Sequence, residues 1–273
     1  MISAKTKVTG LLGYPVEHSL SPAMHNAGFN HLGLDYCYFG FPVHPDALGD
    51  AIRGLRALNF AGVNVTVPHK EKVIPLLDEI DAEANFIGAV NTVLNTGGVL
   101  RGFNTDGRGF YRSLTESGVV IQGKKVFIVG AGGASRAVAY YLCKEAVSVH
   151  IFDIDRGKLD TLVGDLRRIN QAVYSEASLA GISASDIVLN ATPLGLKSND
   201  PTPFDLAQLN PSQVVYDLIY TETPLQLHAS KLGCKTLNGL SMLFWQGVLA
   251  FEIWTKKDAP VEVMRKALLD ARK

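Results

Sequence analysis

Lys125-Val-Phe-Ile-Val129, followed at once by Gly130-Ala131-Gly132-Gly133-Ala134-Ser135, decides the fold. A short β-branched run bounded by glycines reads as a buried strand, and the residues after Ser135 carry a helical pattern. Gly130 permits a tight turn, Gly132 lets backbone approach a pyrophosphate, and Ser135 is the small residue that allows close packing of helix on strand. The helix start then offers free N–H groups and a positive dipole end to phosphates. The next strand, Val147 to Phe152, ends at Asp153, twenty residues after Gly133. There a carboxylate hydrogen-bonds a ribose 2′-hydroxyl and repels a 2′-phosphate, which favours NAD over NADP. Arg156 and Lys158 stand close enough in sequence to pair with a phosphate instead.

Working outward, Ile187–Leu189, Val214–Leu218 and Lys235–Leu237 read as further strands of one nucleotide-binding unit spanning about 105–240. Upstream, strands are expected at Val8–Gly13, Tyr36–Phe41 and Gly62–Val67, with helices over Ser21–Leu32, Pro45–Leu58 and from Pro68 onward. A hairpin is expected at Ala89–Leu94 and Val99–Phe103, around Gly97-Gly98. Alternating strands and helices define an α/β protein of two domains: an N-terminal α/β domain with a mainly parallel sheet and a Rossmann-type dinucleotide-binding domain. The tail, Met242 to Arg272, reads as helical; it could cover the second sheet or return to the first domain.

With 26 basic and 26 acidic residues the formal net charge is zero. That excludes the clustered cationic surplus of a nucleic-acid or anionic-membrane binder. Cys37, Cys143 and Cys234 are dispersed and form no CxxC pair, so they read as structural thiols of a reducing compartment. The first fifteen residues lack a signal-peptide pattern and no apolar stretch is long enough for a membrane span. A cytoplasmic location is the expectation. The seven histidines show no metal-ligand spacing and read as satisfied or solvated side chains, and no metal is expected.

The first half carries polar residues where a ligand would want them. In Val63-Asn-Val-Thr-Val-Pro-His-Lys70, Asn64 and Thr66 fall on one strand face near its C-terminal end. Lys70 falls in the expected first helical turn, where the dipole opposes a cation, so it needs an anionic partner or a job. Asp106, in Asn104-Thr-Asp-Gly107, opens a helix; it is either a cap or a counter-ion to Lys70. An Asp–Lys pair can move a hydroxyl proton during hydride transfer. Asn91 interrupts an apolar strand and could hold a substrate hydroxyl or a backbone group. Ser19 and Ser21, before Pro22, are either a helix cap or a carboxylate site.

Taken in order, Ser19-Leu-Ser21, Asn64 to Lys70, Ala89-Val-Asn91-Thr, Asn104-Thr-Asp106-Gly, the glycine loop, Asn190-Ala-Thr192-Pro-Leu-Gly, and Asn238-Gly239 through Gln246 to Trp254 resemble the shikimate/quinate dehydrogenase family along nearly the whole chain. The resemblance implies reversible, NAD(P)-dependent interconversion of shikimate and 3-dehydroshikimate on the route to aromatic amino acids. Lys70 and Asp106 would be the catalytic pair. Ser19 and Ser21 would bind the carboxylate; Asn64, Thr66, Asn91 and Gln246 would hold ring hydroxyls; Tyr220 would sit beside substrate and nicotinamide. Gly130, Ala131, Gly132, Gly133, Ala134, Ser135, Asp153, Thr192 and Gly239 would bind the cofactor. The resemblance also implies a substrate domain of 1–104 plus 241–273, a cofactor domain of 105–240 inserted in it, a cleft between them, and a monomer or homodimer. Members that use NADP, the family's default, carry Asn-Arg-Thr where this chain has Asp153-Ile154-Asp155, a pattern like the NAD-using branch. That branch often has Thr at the second hydroxyl, here Ser21. The loop after Tyr220 is shorter than the family's usual one. A quinate or dual-specificity dehydrogenase is the alternative enzyme; a nucleotide-binding regulatory protein without turnover is the alternative of another class.

Overall fold

The structure, a computed structural model, describes residues 2–197 and 199–272. The chain divides into two compact units, residues 1–105 with 246–273 and residues 106–245. Among the described residues no helix is long and apolar enough to cross a membrane.

The first unit runs β1 (Lys7–Gly13), α1 (Ser21–His31), β2 (Tyr36–Pro42), α2 (Leu48–Ala57), β3 (Gly62–Val65), β4 (Glu79–Ile80), α3 (Ala82–Ile87), β5 (Thr92–Thr96) and β6 (Val99–Phe103). Its sheet has the order β2-β1-β3-β5-β6-β4. β1 pairs parallel with β2 and β3, β5 pairs antiparallel with β3 and β6, and β4 lies parallel to β6. Val63, Val65, Val90, Val93 and Leu100 form its core with Leu48, Ile52 and Leu55 of α2.

Four local expectations change here. No helix follows Pro68: the chain turns, with His69 N–H on the Thr66 carbonyl at 2.9 Å, and makes one 3₁₀ turn at Ile74–Leu76. Pro75 would stand inside such a helix, where it lacks the N–H a helix needs. No helix dipole therefore acts on Lys70. Strand β3 stops at Val65, and the hairpin's first strand starts at Thr92 rather than Ala89. Ser21 does not cap α1: Leu20 holds the cap position in a helical conformation, and Ser21 is already inside the helix.

The second unit runs α4 (Asp106–Glu116), β7 (Lys125–Val129), α5 (Gly133–Glu145), β8 (Ser148–Phe152), α6 (Arg156–Leu166), β9 (Val173–Ser175), β10 (Ile187–Asn190), β11 (Val214–Asp217), α7 (Pro224–Leu232), β12 (Lys235–Asn238) and the first residues of α8 (Gly239–Thr255). All six strands are parallel, in the order β12-β11-β10-β7-β8-β9. Counted from β7, this is the doubly wound order 3-2-1-4-5-6 of dinucleotide-binding sheets. The remainder of α8 and all of α9 (Val261–Ala271) belong to the first unit, where α9 packs along α1.

Candidate active site

In the first unit a buried network of uncharged polar groups joins β2, β3, β5 and α8. Tyr38, on β2, is 1% exposed, and its hydroxyl lies 2.9 Å from Asn64 Oδ1. Asn64 Nδ2 donates to the Asn91 carbonyl at 3.1 Å and to Thr92 Oγ1 at 3.0 Å. Asn91 Nδ2 donates to Thr105 Oγ1 at 2.9 Å and reaches Gln246 Oε1 at 3.4 Å, while its Oδ1 accepts the Thr105 N–H at 2.8 Å. The structure thus brings Asn64, Asn91 and Gln246 together. Both Asn91 amide hydrogens are already committed inside the protein, so Asn91 holds its neighbours in place. Ser19 Oγ accepts the Ser21 N–H at 3.3 Å. Burial raises the Tyr38 phenol well above its ordinary range, so it stays protonated and remains a donor.

Thr66 and Lys70 are half-buried beside this network. Thr66 N–H bonds the Leu12 carbonyl, and the Lys70 carbonyl accepts the Val90 N–H at 2.8 Å, which fixes its backbone next to Asn91. His69 is no rival for Lys70: it is fully buried with Nε2 on the Val43 carbonyl at 2.7 Å. His25 departs from the expectation of satisfied histidines. It is fully buried, both ring nitrogens lack hydrogen-bond partners, and it stacks on Tyr38 at 4.4 Å between centroids.

In the second unit the glycine loop runs from β7 to α5. Gly130 has φ +110°, and a Cβ there would stand 2.9 Å from the Ala191 carbonyl oxygen, so the turn requires glycine. Gly132 differs. Its φ is −76°, and a Cβ would meet nothing within 4 Å. The fold does not require glycine at 132, and the space beside it fits a pyrophosphate approaching the backbone. Helix α5 starts there with no side-chain cap on its N–H groups. Ala131 N–H donates to Asp153 Oδ2 at 2.6 Å, and Asp155 N–H to Asp153 Oδ1 at 2.7 Å. Ser135 is fully buried and donates to the Gly130 carbonyl at 2.7 Å; it braces the loop from within. Gly133 and Ala134 form the first exposed turn of α5.

The loops after β10 and β11 hang on a buried acid absent from the sequence reading. Asp217 accepts from Asn190 Nδ2 (3.0 Å), the Ile219 N–H (3.1 Å), the Thr223 hydroxyl (2.6 Å) and Gln226 Nε2 (3.3 Å). Burial raises its carboxyl, and these donors pull it back. Asn190 Oδ1 in turn accepts the Thr192 hydroxyl at 2.7 Å. Gly239 packs so closely that a Cβ would overlap the Leu218 carbonyl, which seats the start of α8 against the loop bearing Tyr220. Tyr220 is 37% exposed on that loop. A strand ending in Val-Val-Tyr-Asp217 and the cap pair Thr223-Pro224 were the signals available in the sequence. Asp106, 8% exposed, is the first residue of α4 and follows Thr105 directly. Among the described residues no group of three His, Cys, Asp or Glu could hold a metal ion.

A doubly wound parallel sheet, a glycine loop at its first strand and a carboxylate ending its second define a Rossmann-type dinucleotide-binding fold, and the relatives it matches make the chain a nicotinamide-dependent oxidoreductase acting on a CH–OH group. Residues 11–93 match the shikimate dehydrogenase substrate-binding domain, and residues 239–269 match the shikimate 5′-dehydrogenase C-terminal domain. The chain belongs to the shikimate dehydrogenase family. It is 47% identical over 279 residues to a shikimate dehydrogenase (NADP(+)) of Desulforamulus reducens, covering 98% of this chain and 96% of that protein. Of solved structures, a shikimate dehydrogenase in complex with NADP+ matches with a TM-score of 0.92 and 42% identity, over 99% of this chain and 97% of the other. Shikimate 5-dehydrogenase of Listeria monocytogenes, in complex with shikimate and NAD, matches with a TM-score of 0.88 and 38% identity, over 97% of each.

Proposed function

We propose that this chain is a shikimate dehydrogenase that interconverts shikimate and 3-dehydroshikimate, with Lys70 and Asp106 handling the proton of the ring hydroxyl. The observation that carries the reading is the buried, uncharged Tyr38–Asn64–Asn91–Gln246 network on the first unit. A set of amides and hydroxyls held by one another suits a polyhydroxylated ring, because the acceptor lone pairs they keep free are already oriented for substrate hydroxyls. Ser19 and Ser21 supply hydroxyls for the carboxylate; Asn64, Thr66 and Gln246 take ring hydroxyls; Asn91 orients Gln246. Tyr220 and Gly239 shape the nicotinamide end, and Gly130 to Ser135 with Thr192 cradle the rest of the dinucleotide. A bound nicotinamide supplies the hydride acceptor. The Lys70 amine takes the hydroxyl proton or returns it, and Asp106 supports the cationic form. The relatives' names favour shikimate over quinate.

For the cofactor, Asp153 supports NAD over NADP. Both its oxygens are held by backbone N–H groups, so the carboxylate cannot swing away from a 2′-phosphate. Arg156 is drawn to the Glu176 carbonyl at 2.9 Å and Lys158 to Asp155 at 3.3 Å. Neither is poised for a phosphate. Steady-state oxidation of shikimate, with NAD and NADP side by side, tests both parts. The expected result is turnover with kcat/KM at least as high for NAD. Lys70→Ala should lower kcat by about 10²–10⁴-fold with a smaller change in KM. Preference for NADP by orders of magnitude overturns the Asp153 reading; a kcat within a few-fold of wild type removes Lys70 from proton transfer.

A further inference from the structure

The polar network of the first unit has a direction, and two backbone groups fix it. The Asn91 carbonyl can only accept, so the Asn64 atom 3.1 Å from it is Nδ2. Asn64 Oδ1 then faces the Tyr38 hydroxyl, which has to donate. The Thr105 N–H can only donate, so the Asn91 atom 2.8 Å from it is Oδ1, and Asn91 Nδ2 points to Thr105 Oγ1 and Gln246. Hydrogen bonds therefore run from Tyr38 to Asn64, from Asn64 to Thr92 and from Thr92 to Asn91, where Thr105 closes a local ring, accepting from Asn91 Nδ2 and donating to its Oδ1.

Tyr38 is held for this task from three sides. Asn26 clamps its backbone, accepting the Tyr38 N–H at 2.8 Å and donating to its carbonyl at 2.9 Å. His25 stacks on its ring within 12° of parallel, and Trp254 lies 6.0 Å away, tilted. The histidine keeps two unpartnered ring nitrogens in doing so, a cost that a plain core position would not retain.

We infer that Tyr38 is a positioning residue that holds Asn64 in the polarity the backbone sets, filling one lone pair of its Oδ1 and leaving Asn64 only the other to offer to the substrate. Both Asn64 amide hydrogens are committed to Asn91 and Thr92, and one side of Oδ1 is filled by Tyr38. The substrate group that meets Asn64 must then bring its own proton: a hydroxyl fits, whereas a keto or ether oxygen would face a lone pair. This rests on the proposed function above, because it assigns Asn64 to the substrate.

The experiment is Tyr38→Phe, alone and combined with Asn64→Ala, assayed with shikimate and the preferred nicotinamide. KM for shikimate should rise about tenfold, the size of one lost ordered hydrogen bond, with kcat within about threefold and the cofactor KM unchanged. In the Asn64→Ala background the same change should have no further effect on KM, because Tyr38 acts through Asn64. A merely structural tyrosine would lower stability equally in both backgrounds without this split. Multiplicative effects on KM overturn the inference. A second readout needs neither variant nor turnover. In the unliganded wild-type chain, proton NMR should find a slowly exchanging Tyr38 hydroxyl with a nuclear Overhauser contact to the Asn64 side chain. A fast-exchanging hydroxyl overturns the polarity itself, whereas a slow one in a protein that does not oxidise shikimate overturns only the functional reading.

Discussion

His25 shows what a single buried ring costs. With no partner for either nitrogen, burial lowers its pKa from the usual 6.5 to about 3. The unfolded chain therefore binds a proton that the folded chain refuses throughout that window. Stability is unaffected by this group above pH 6.5 and falls as the pH drops from 6.5 towards 3, by about 1.4 kcal/mol per pH unit. His25→Phe keeps a ring against Tyr38 and removes both orphan nitrogens. Its urea midpoint should fall less steeply between pH 6.5 and 4.5 than that of the wild type, with neutral-pH stability equal or higher. Parallel pH profiles for the two proteins would mean that other groups carry the acid sensitivity. Nothing in Ser21-Pro-Ala-Met-His25 announces this: on a helix the residue could face solvent as readily as Tyr38, and only packing against β2 and α8 decides.

Element by element, the glycine loop separates what the fold needs from what a ligand needs. Gly130 has positive φ and a carbonyl against it, so Gly130→Ala should destabilise the protein by about 1–3 kcal/mol. Gly132 has neither constraint. Gly132→Ala should leave the melting temperature within about 2 °C and raise the nicotinamide KM about tenfold or more, with the shikimate KM unchanged. A Gly132→Ala protein with wild-type cofactor KM would place the pyrophosphate elsewhere. This loop was legible because its chemistry is local: strand, turn and helix start lie within eleven consecutive residues. The short elements were not. Strand β4 has two residues, β9 three and α3 six, too few for a period to show. The helix expected after Pro68 failed because the valine-proline-lysine run reads as a strand–helix junction until Pro75 is weighed as an interior residue. Tyr38 was missed for a different reason. Its link to Asn64 crosses β1, and only the β2-β1-β3 order, which no spacing reveals, brings the two onto one face.

On the scale of the molecule, each unit carries its own sheet and core, yet only one is contiguous in sequence. Each six-stranded sheet is built from its own stretch of chain, but the first is packed by the chain's last helices, whereas residues 106–245 supply all of theirs. Trp254 N–H bonds the Val93 carbonyl at 3.0 Å, its indole fills the space that Gly62 leaves, and Phe251 stacks on Phe29 at 4.9 Å. Met264 and Leu268 of α9 are fully buried, and Met264 packs onto Gly28 of α1. Removing residues 258–273 strips those two side chains from the core and uncovers α1. At about 2–5 kcal/mol for each large apolar side chain lost, the deletion removes much of the 5–15 kcal/mol that usually holds a domain. Hydrogen exchange on the truncated chain should show amides of β1, α1, β2 and β3 exchanging at rates near the unfolded limit, while β7, β8 and β10 stay protected. Cofactor binding, measured by the fluorescence of the reduced nicotinamide, should survive while shikimate turnover is lost. Equal loss of protection in both sheets would show that the two cores stand or fall together. Protection retained in both would show that α9 is dispensable and that α8 alone closes the first unit.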